Sequence, residues 1–218
     1  MHILITAGPT REYIDPVRYI SNASSGRMGA ALAEAARAAG HRVTLVLGPA
    51  EVPPPPVDEL VRVESAQEMF DAVAARFPAC DAFIAAAAVA DYRPTRRAPS
   101  KIHKSVGRLI LDLEATPDIL AEMARRRRPD QVLVGFCLES DDLEARARSK
   151  LESKELDLVV ANPPAAIAAE RQDALLVFRS GAREALRGVS KADLAARIVA
   201  EVVRIAARRA AEHTAGGA

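Results

Sequence analysis

The chain has no tryptophan, three tyrosines and five phenylalanines, so aromatics make up only 4% of its 218 residues. Its core must draw on Ala, Val, Leu and Ile, and hydrophobic residues do reach 50% of the total. Cysteine is scarce as well. Cys80 and Cys137 lie in separate segments, which gives neither a disulfide framework nor a metal spacing and fits a reduced, cytoplasmic compartment. Neither sign of charge dominates, since 30 basic and 29 acidic residues leave a formal net charge of +1. That balance argues against a nucleic-acid binder, whose footprint is a basic excess on one face. Long apolar runs are missing too. The longest, Ala82 to Ala90, is roughly half of a membrane span. The opening Met-His-Ile-Leu-Ile-Thr breaks at Gly8-Pro9, too early for a signal peptide. A soluble protein with no membrane partner is expected.

Two nucleotide signatures are also absent: neither G-x-x-x-x-G-K-[ST] nor G-x-G-x-x-G follows the first apolar run. Ser24-Ser25-Gly26-Arg27-Met28-Gly29 could pass for a weak dinucleotide turn, but Arg11 to Pro16 separates it from that run. No tyrosine has a lysine one helical turn later: Tyr13 leads to Val17, Tyr19 to Ala23 and Tyr92 to Arg96. A dehydrogenase of the short-chain kind is disfavoured.

The pattern that is present reads as α/β: a Rossmann-like, doubly wound, mainly parallel sheet with helices on both faces, in a single domain. His2–Thr6 is a buried strand. A helix from about Ser25 to Ala39 follows, with Met28, Leu32, Ala35 and Ala39 on one face and Gly40 as its C-cap, then a strand at Arg42–Leu47. That is a βαβ unit. Pro53 to Pro56 is a stiff surface spacer. Leu60–Val63, Ala82–Ala88, Leu109–Leu113, Gln131–Leu138 and Leu156–Ala161 are further strands, and Ala174–Phe178 with Glu184–Leu186 is an edge hairpin. Helices are expected over Ala66–Phe77, from Thr116-Pro117-Asp118 (N-cap, proline at N1, acid in the first turn), over Asp141–Lys154, and from Ser190 to about Ala211. Residues 1–211 form the domain and 212–218 a disordered tail.

Three constellations carry chemistry. Arg18 to Gly29 gathers arginines, an amide, hydroxyls and glycines just before a helix, and such a start favours anions. Ala85-Ala86-Ala87-Ala88-Val89-Ala90-Asp91 puts an acid past the end of a strand whose small side chains leave room for a ligand on the backbone. Lys101, His103 and Lys104 follow it. Taken alone, Asp91 is as readily a turn residue, the lysines a solvated loop, and His103 a surface histidine. In the third, Phe136 after Gly135 is suited to stacking on a base, with Lys150 and Lys154 on one helix face; that pair alone reads as a solubilising face.

Together these segments resemble one family, the phosphopantothenate–cysteine ligases of coenzyme A biosynthesis. The matching stretches are Thr6 to Glu12, Ile14 to Asn22, Ser24-Ser25-Gly26, Ala87 to Arg93, Lys101-Ile102 with Lys104, Thr116 to Leu120, Gly135-Phe136 and Ala161-Asn162. The resemblance implies a ligase that activates the carboxylate of 4′-phosphopantothenate with CTP, or ATP, as an acyl nucleotidylate, then transfers the acyl group to L-cysteine. Mg²⁺ accompanies the triphosphate, with its ligands unassigned, and a homodimer is implied in which the partner helps to close each site. By the same resemblance Asn22 lies at the acyl carbonyl with Arg18 its partner, Ala88 beside the intermediate, and Lys101 at the phosphates. Gly8, Ala85, Ala86, Ala87, Asp91, Thr116, Pro117, Asp118, Ile119, Phe136, Lys150 and Lys154 are expected about the nucleotide, and Ser24, Ser25, Gly26 and Lys104 about substrate phosphate. His103 replaces a third lysine of many relatives, and Cys137 to Ser140 a more alanine-rich run. Many bacterial relatives carry a flavin-dependent decarboxylase domain ahead of the ligase; the sequence fits a stand-alone synthetase or an excised half. An NAD(P)-dependent oxidoreductase and a nucleotide-sensing module are the remote alternatives.

Overall fold

The opening apolar run forms β1 (His2–Ala7), buried at every residue after His2. A short antiparallel arm, β2 (Arg11–Tyr13) and β3 (Tyr19–Ser21), precedes α1 (Arg27–Ala38), β4 (Arg42–Leu47) and β5 (Glu59–Arg62). Next come α2 (Ala66–Arg76), β6 (Ala82–Ala85) and a second small antiparallel pair, β7 (Tyr92–Pro94) with β8 (Leu113–Ala115). The chain continues as α3 (Ile119–Arg126), β9 (Val132–Leu138), α4 (Leu143–Ser153) and β10 (Leu158–Asn162). A hairpin, β11 (Arg171–Phe178) and β12 (Arg183–Ser190), leads to α5 (Lys191–Ala215). This computed structural model describes residues 1–104, 107–166 and 169–215, with side chains to 212.

The 8-stranded sheet has the order β12-β11-β10-β9-β6-β1-β4-β5. Its members are parallel from β5 to β10, and the hairpin completes it antiparallel at one edge. The chain builds outward from β1 to β5, then returns to the other flank of β1 with β6. That reversal makes the Rossmann-like, doubly wound fold expected from the sequence, and it opens a crevice at the carboxyl ends of β1 and β6.

Strand side chains alternate between two apolar layers. Ile3, Ile5, Val43, Leu45, Ile84, Val134 and Val160 meet Leu32, Ala33 and Ala36 of α1 and Leu194, Ile198 and Val202 of α5. On the opposite face Leu4, Val46, Phe83, Leu133 and Val159 meet Met69 and Val73 of α2, Leu120 and Met123 of α3, and Ala147 and Leu151 of α4.

Several elements differ from expectation. The buried face of α1 is Gly29, Leu32, Ala33 and Ala36, rotated from the Met28, Leu32, Ala35, Ala39 stripe. Small residues win because the helix lies so close to β1 that a Cβ on Gly29 would sit 2.3 Å from the Cβ of Ala7. β6 ends at Ala85, not Ala88. The alternating Leu109–Leu113 run is not a strand; Leu109 and Ile110 are exposed, and β8 begins at Leu113. Asp118, not Thr116, caps α3 by accepting from the Ala121 N–H at 3.0 Å. The arm β2–β3 was not foreseen. α5 runs to Ala215, and of the expected tail, 216–218 lie outside the described residues.

Gly29→Ala forces a methyl into the α1–β1 contact, an overpacking that costs about 1–3 kcal/mol. Urea unfolding should show a lower midpoint with an unchanged slope.

Candidate functional site

The crevice at the strand reversal opens into a cavity of about 840 Å³, near the top of the roughly 300–1,000 Å³ usual for small-molecule sites. Its floor is the segment after β6. The Ala87 N–H donates to Thr6 Oγ1 at 3.3 Å, Ala88 N–H to the Gly8 carbonyl at 2.9 Å, and Ala90 N–H to Thr10 Oγ1 at 3.0 Å. From the other side Thr116 Oγ1 donates to the Ala90 carbonyl at 2.6 Å. The backbone of Ala86 to Asp91 is thereby fixed against the loop after β1, with a single parallel bridge between Ala88 and Pro9, and its small side chains line the cavity.

One wall is the loop into α1, which contributes Asn22, Ser24, Ser25, Gly26 and Arg27 to the lining. The Asn22 amide donates to the carbonyls of Val89 at 2.9 Å and Ala88 at 3.4 Å, joining this wall to the floor. The opposite wall carries Thr116, Pro117, Asp118 and Ile119 at the start of α3, Phe136 of β9, and Lys150 and Lys154 at the end of α4. Lys150 Nζ donates to the Phe136 carbonyl at 2.5 Å. Burial, with the neighbouring Lys154 charge, lowers the Lys150 pKa. Lys154 pairs with Asp118 at 2.8 Å. Burial pushes the Asp118 carboxyl up, but the Lys154 ammonium and the Ala121 N–H outweigh it and hold the group below its ordinary value.

Ala85 to Ala88, Asp91, Asn22, Ser24 to Gly26, Thr116 to Ile119, Phe136, Lys150 and Lys154 therefore converge on one cavity. Gly8 lies beneath its floor. Arg18, Lys101 and Lys104 do not line it. Arg18 instead belongs to a knot around Asp15, whose side chain is fully buried and accepts from Arg18 Nε at 2.9 Å, Arg18 Nη2 at 2.5 Å, and the N–H groups of Val17 at 2.8 Å and Ile102 at 3.1 Å. Arg18 Nη2 also donates to the Ile102 carbonyl at 2.7 Å. Together with the Ala98 N–H bond to Ile14 and the stacking of Arg97 on Tyr13, this pins the Lys101-bearing segment along the β2–β3 arm. Lys101, His103 and Lys104 are exposed there.

The cavity also takes in Arg27 and Asn162, which belong to segments singled out in the sequence without a stated role, and Gln172 and Lys191, which the sequence did not nominate. Arg27 lies within the Arg18–Gly29 constellation, whereas only the sheet topology brings the start of α5 to the crevice. Burial pushes the thiol of Cys80 up to about 12 and that of Cys137 above its usual value, so neither is an activated nucleophile. Among the described residues no three His, Cys, Asp or Glu side chains gather as a metal-ligand set, and no helix is long and apolar enough to cross a membrane.

Residues 1–205 match the family described as the DNA/pantothenate metabolism flavoprotein C-terminal domain. The chain belongs to this family. It is 45% identical over 208 residues to the coenzyme A biosynthesis bifunctional protein CoaBC of Vibrio vulnificus, covering 92% of this chain and 51% of that protein. A cysteine/cysteine sulfinic acid decarboxylase of an unknown prokaryotic organism is 42% identical over 208 residues, or 93% of this chain and 58% of that one. The chain thus spans a little over half the length of these relatives. The crystal structure of the C-terminal domain of CoaBC superposes with a TM-score of 0.80 at 37% identity, over 92% of this chain and 93% of that one. The family fold is therefore matched over nearly its whole extent.

The Asp15 knot has a pH signature. Burial pushes the carboxyl up, but Arg18 and the backbone N–H donors outweigh it and hold the group well below the usual carboxylate range. A depressed pKa contributes stability that is complete above the unfolded value of about 3.9 and is lost as pH falls through the folded one. Asp15→Asn should lower the melting temperature at pH 7 and, by loosening the segment, speed trypsin cleavage after the already exposed Arg96 and Arg97. Its deficit relative to wild type should shrink below about pH 4. A deficit that stayed constant down to acid pH would rule the ionised knot out.

Proposed function

We propose that the protein joins 4′-phosphopantothenate to L-cysteine in two steps. A nucleoside triphosphate, CTP in preference to ATP, is attacked by the substrate carboxylate; a C–O–P linkage forms and pyrophosphate leaves. The cysteine amine then attacks the acyl carbon, the new C–N bond replaces the C–O bond, and the nucleoside monophosphate leaves. The observation that carries this reading is the convergence of the Ser24–Gly26 loop, the Ala85–Asp91 floor and the Phe136, Lys150, Lys154 wall on one cavity. The coenzyme A biosynthesis relatives and the pantothenate-metabolism family match support it from outside.

The floor presents backbone and methyl groups to a flat base, Phe136 offers a stacking face, and the lysines offset phosphate charge. Asn22 stands beside Ala88, suited to steady an oxyanion as the amine attacks, its longer bond to the Ala88 carbonyl being the one it would exchange. Mg²⁺ would arrive on the triphosphate and neutralise its charge, with Asp91 and Asp118 the carboxylates that line the cavity. Lys101 and Lys104, held on the arm, would act in a homodimer on the site of the partner. Exposed Val17 and Tyr19 near or on the β2–β3 arm, and Tyr92 and Leu113 on the β7–β8 pair, support a face covered by a second copy. The buried, reduced thiols suit a cytoplasmic enzyme.

The deciding assay measures pyrophosphate release with 4′-phosphopantothenate, cysteine and each triphosphate in turn. CTP should give the higher kcat/KM; no release with any triphosphate would sink the proposal, and carbon dioxide released from cysteine or its sulfinate would favour a decarboxylase instead. Asn22→Asp puts a carboxylate against two carbonyls and should still release pyrophosphate yet stall at the acyl nucleotidylate, with amide formation slowed about 10²–10³-fold. Lys101→Gln should suppress the first step. Mixing the two variants should restore part of the activity, because a mixed dimer holds one intact site.

A further inference from the structure

The cavity straddles the carboxyl edge of the sheet, and its charges are sorted by face. On the α3–α4 side the cations are matched: Lys154 pairs with Asp118, and Lys150 lies in the field of both Asp118 and Asp91. The α1–α5 side is different. Arg27, the first residue of α1, makes no side-chain hydrogen bond or ion pair among the described residues. Lys191, the first residue of α5, directs Nζ to the carbonyls of Ala166 at 2.9 Å and Ala169 at 3.0 Å and to Gln172 Oε1 at 3.4 Å. All three acceptors are uncharged, so the ammonium is solvated by the protein and meets no carboxylate among the described residues. Both residues line the same cavity, Gln172 links them by touching Lys191 and the Sδ of Met28 next to Arg27 at 3.9 Å, and their like charges oppose one another.

Two adjacent cations without a counter-ion raise the free energy of the empty site, and a multiply charged anion relieves it. Arg27 offers an unused guanidinium fork, and the long bond from Lys191 to Gln172 is the one a ligand oxygen can replace. We propose that Arg27 and Lys191 form a phosphate-binding site on the α1–α5 side of the cavity, separate from the Lys150–Lys154 wall. The ligand is a phosphoryl dianion. If the protein is the ligase proposed above, two sources offer one: the pyrophosphate end of the triphosphate and the phosphomonoester of 4′-phosphopantothenate.

Calorimetric titration of the full chain with inorganic pyrophosphate, and separately with 4′-phosphopantothenate, tests the site without turnover. Arg27→Gln and Lys191→Gln should each weaken one of these ligands by at least about tenfold, as expected for a lost charge-assisted contact, and Arg27→Lys should recover part of the loss. Loss confined to pyrophosphate assigns the site to the triphosphate; loss confined to 4′-phosphopantothenate assigns it to the monoester. Lys191 also holds the Ala166 and Ala169 carbonyls, so Arg27→Gln, which breaks no internal bond, is the decisive variant. Wild-type affinity for both ligands in Arg27→Gln, or no binding of either by wild type, overturns the proposal. A wild-type enzyme that still releases pyrophosphate in that case leaves the ligase reading standing. Anion binding that depends on Arg27 in a protein that never releases pyrophosphate removes the ligase and keeps the site.

Discussion

A strand order that reverses at β1 and β6 leaves a gap that no connection can fill. The chain leaves β1 toward one flank and β6 toward the other, so the loops after the two strands diverge. Most of the candidate site residues are arranged around that gap. On its far side the loop leaving β1 is pressed against the end of β4, where a Cβ on Gly48 would stand 1.9 Å from the Pro9 carbonyl oxygen. The floor then needs side-chain hydroxyls, Thr6, Thr10 and Thr116, in place of sheet partners for its amides and carbonyls. No buried side-chain nitrogen or oxygen among the described residues is left without a hydrogen bond.

Charge is managed with similar economy away from the site. The run Arg125 to Arg128 looks basic in the sequence, yet Arg125 and Arg126 both pair with Glu122, Arg127 reaches the buried Asp157, and Arg128 pairs with Asp130. Asp157 is shared with Arg209 of α5 at 2.5 Å and also accepts from the Leu133 N–H at 2.9 Å. Each arginine of the run thus has a carboxylate partner, although Glu122 and Asp157 each serve two. The unmatched pair at Arg27 and Lys191 is notable against that background.

Strands with continuous apolar runs, β1, β4 and β9, were legible because burial on both faces leaves no room for polar residues. The Leu109–Leu113 alternation misled because period-two patterning speaks of one covered face and not of a hydrogen-bonded neighbour. The α1 face misled because hydrophobicity ranks Met28 above Gly29, whereas proximity to β1 rewards the absence of a side chain. Most nominated cavity residues were found because they sit in compact motifs at strand ends and helix starts. Lys191 was not, since nothing near Ser190 announces that the start of α5 returns to the crevice. Arg18 and Lys101 show the converse: motif membership identified them, but their placement depends on the buried carboxylate of Asp15.

The packing of α5 over α1 also fixes when the protein can be finished. Leu32, Ala33 and Ala36 are sealed by Leu194, Ile198 and Val202, which the ribosome delivers only after every strand of the sheet. Until then α1 covers β1 and β4 alone, and the part of this layer that α5 completes remains open to water and to other nascent chains. Parallel pairings between distant segments form slowly for the same reason, because long loops must close before contacts reward them. Apolar surface that only α5 covers therefore stays exposed in the nascent chain until the last helix docks.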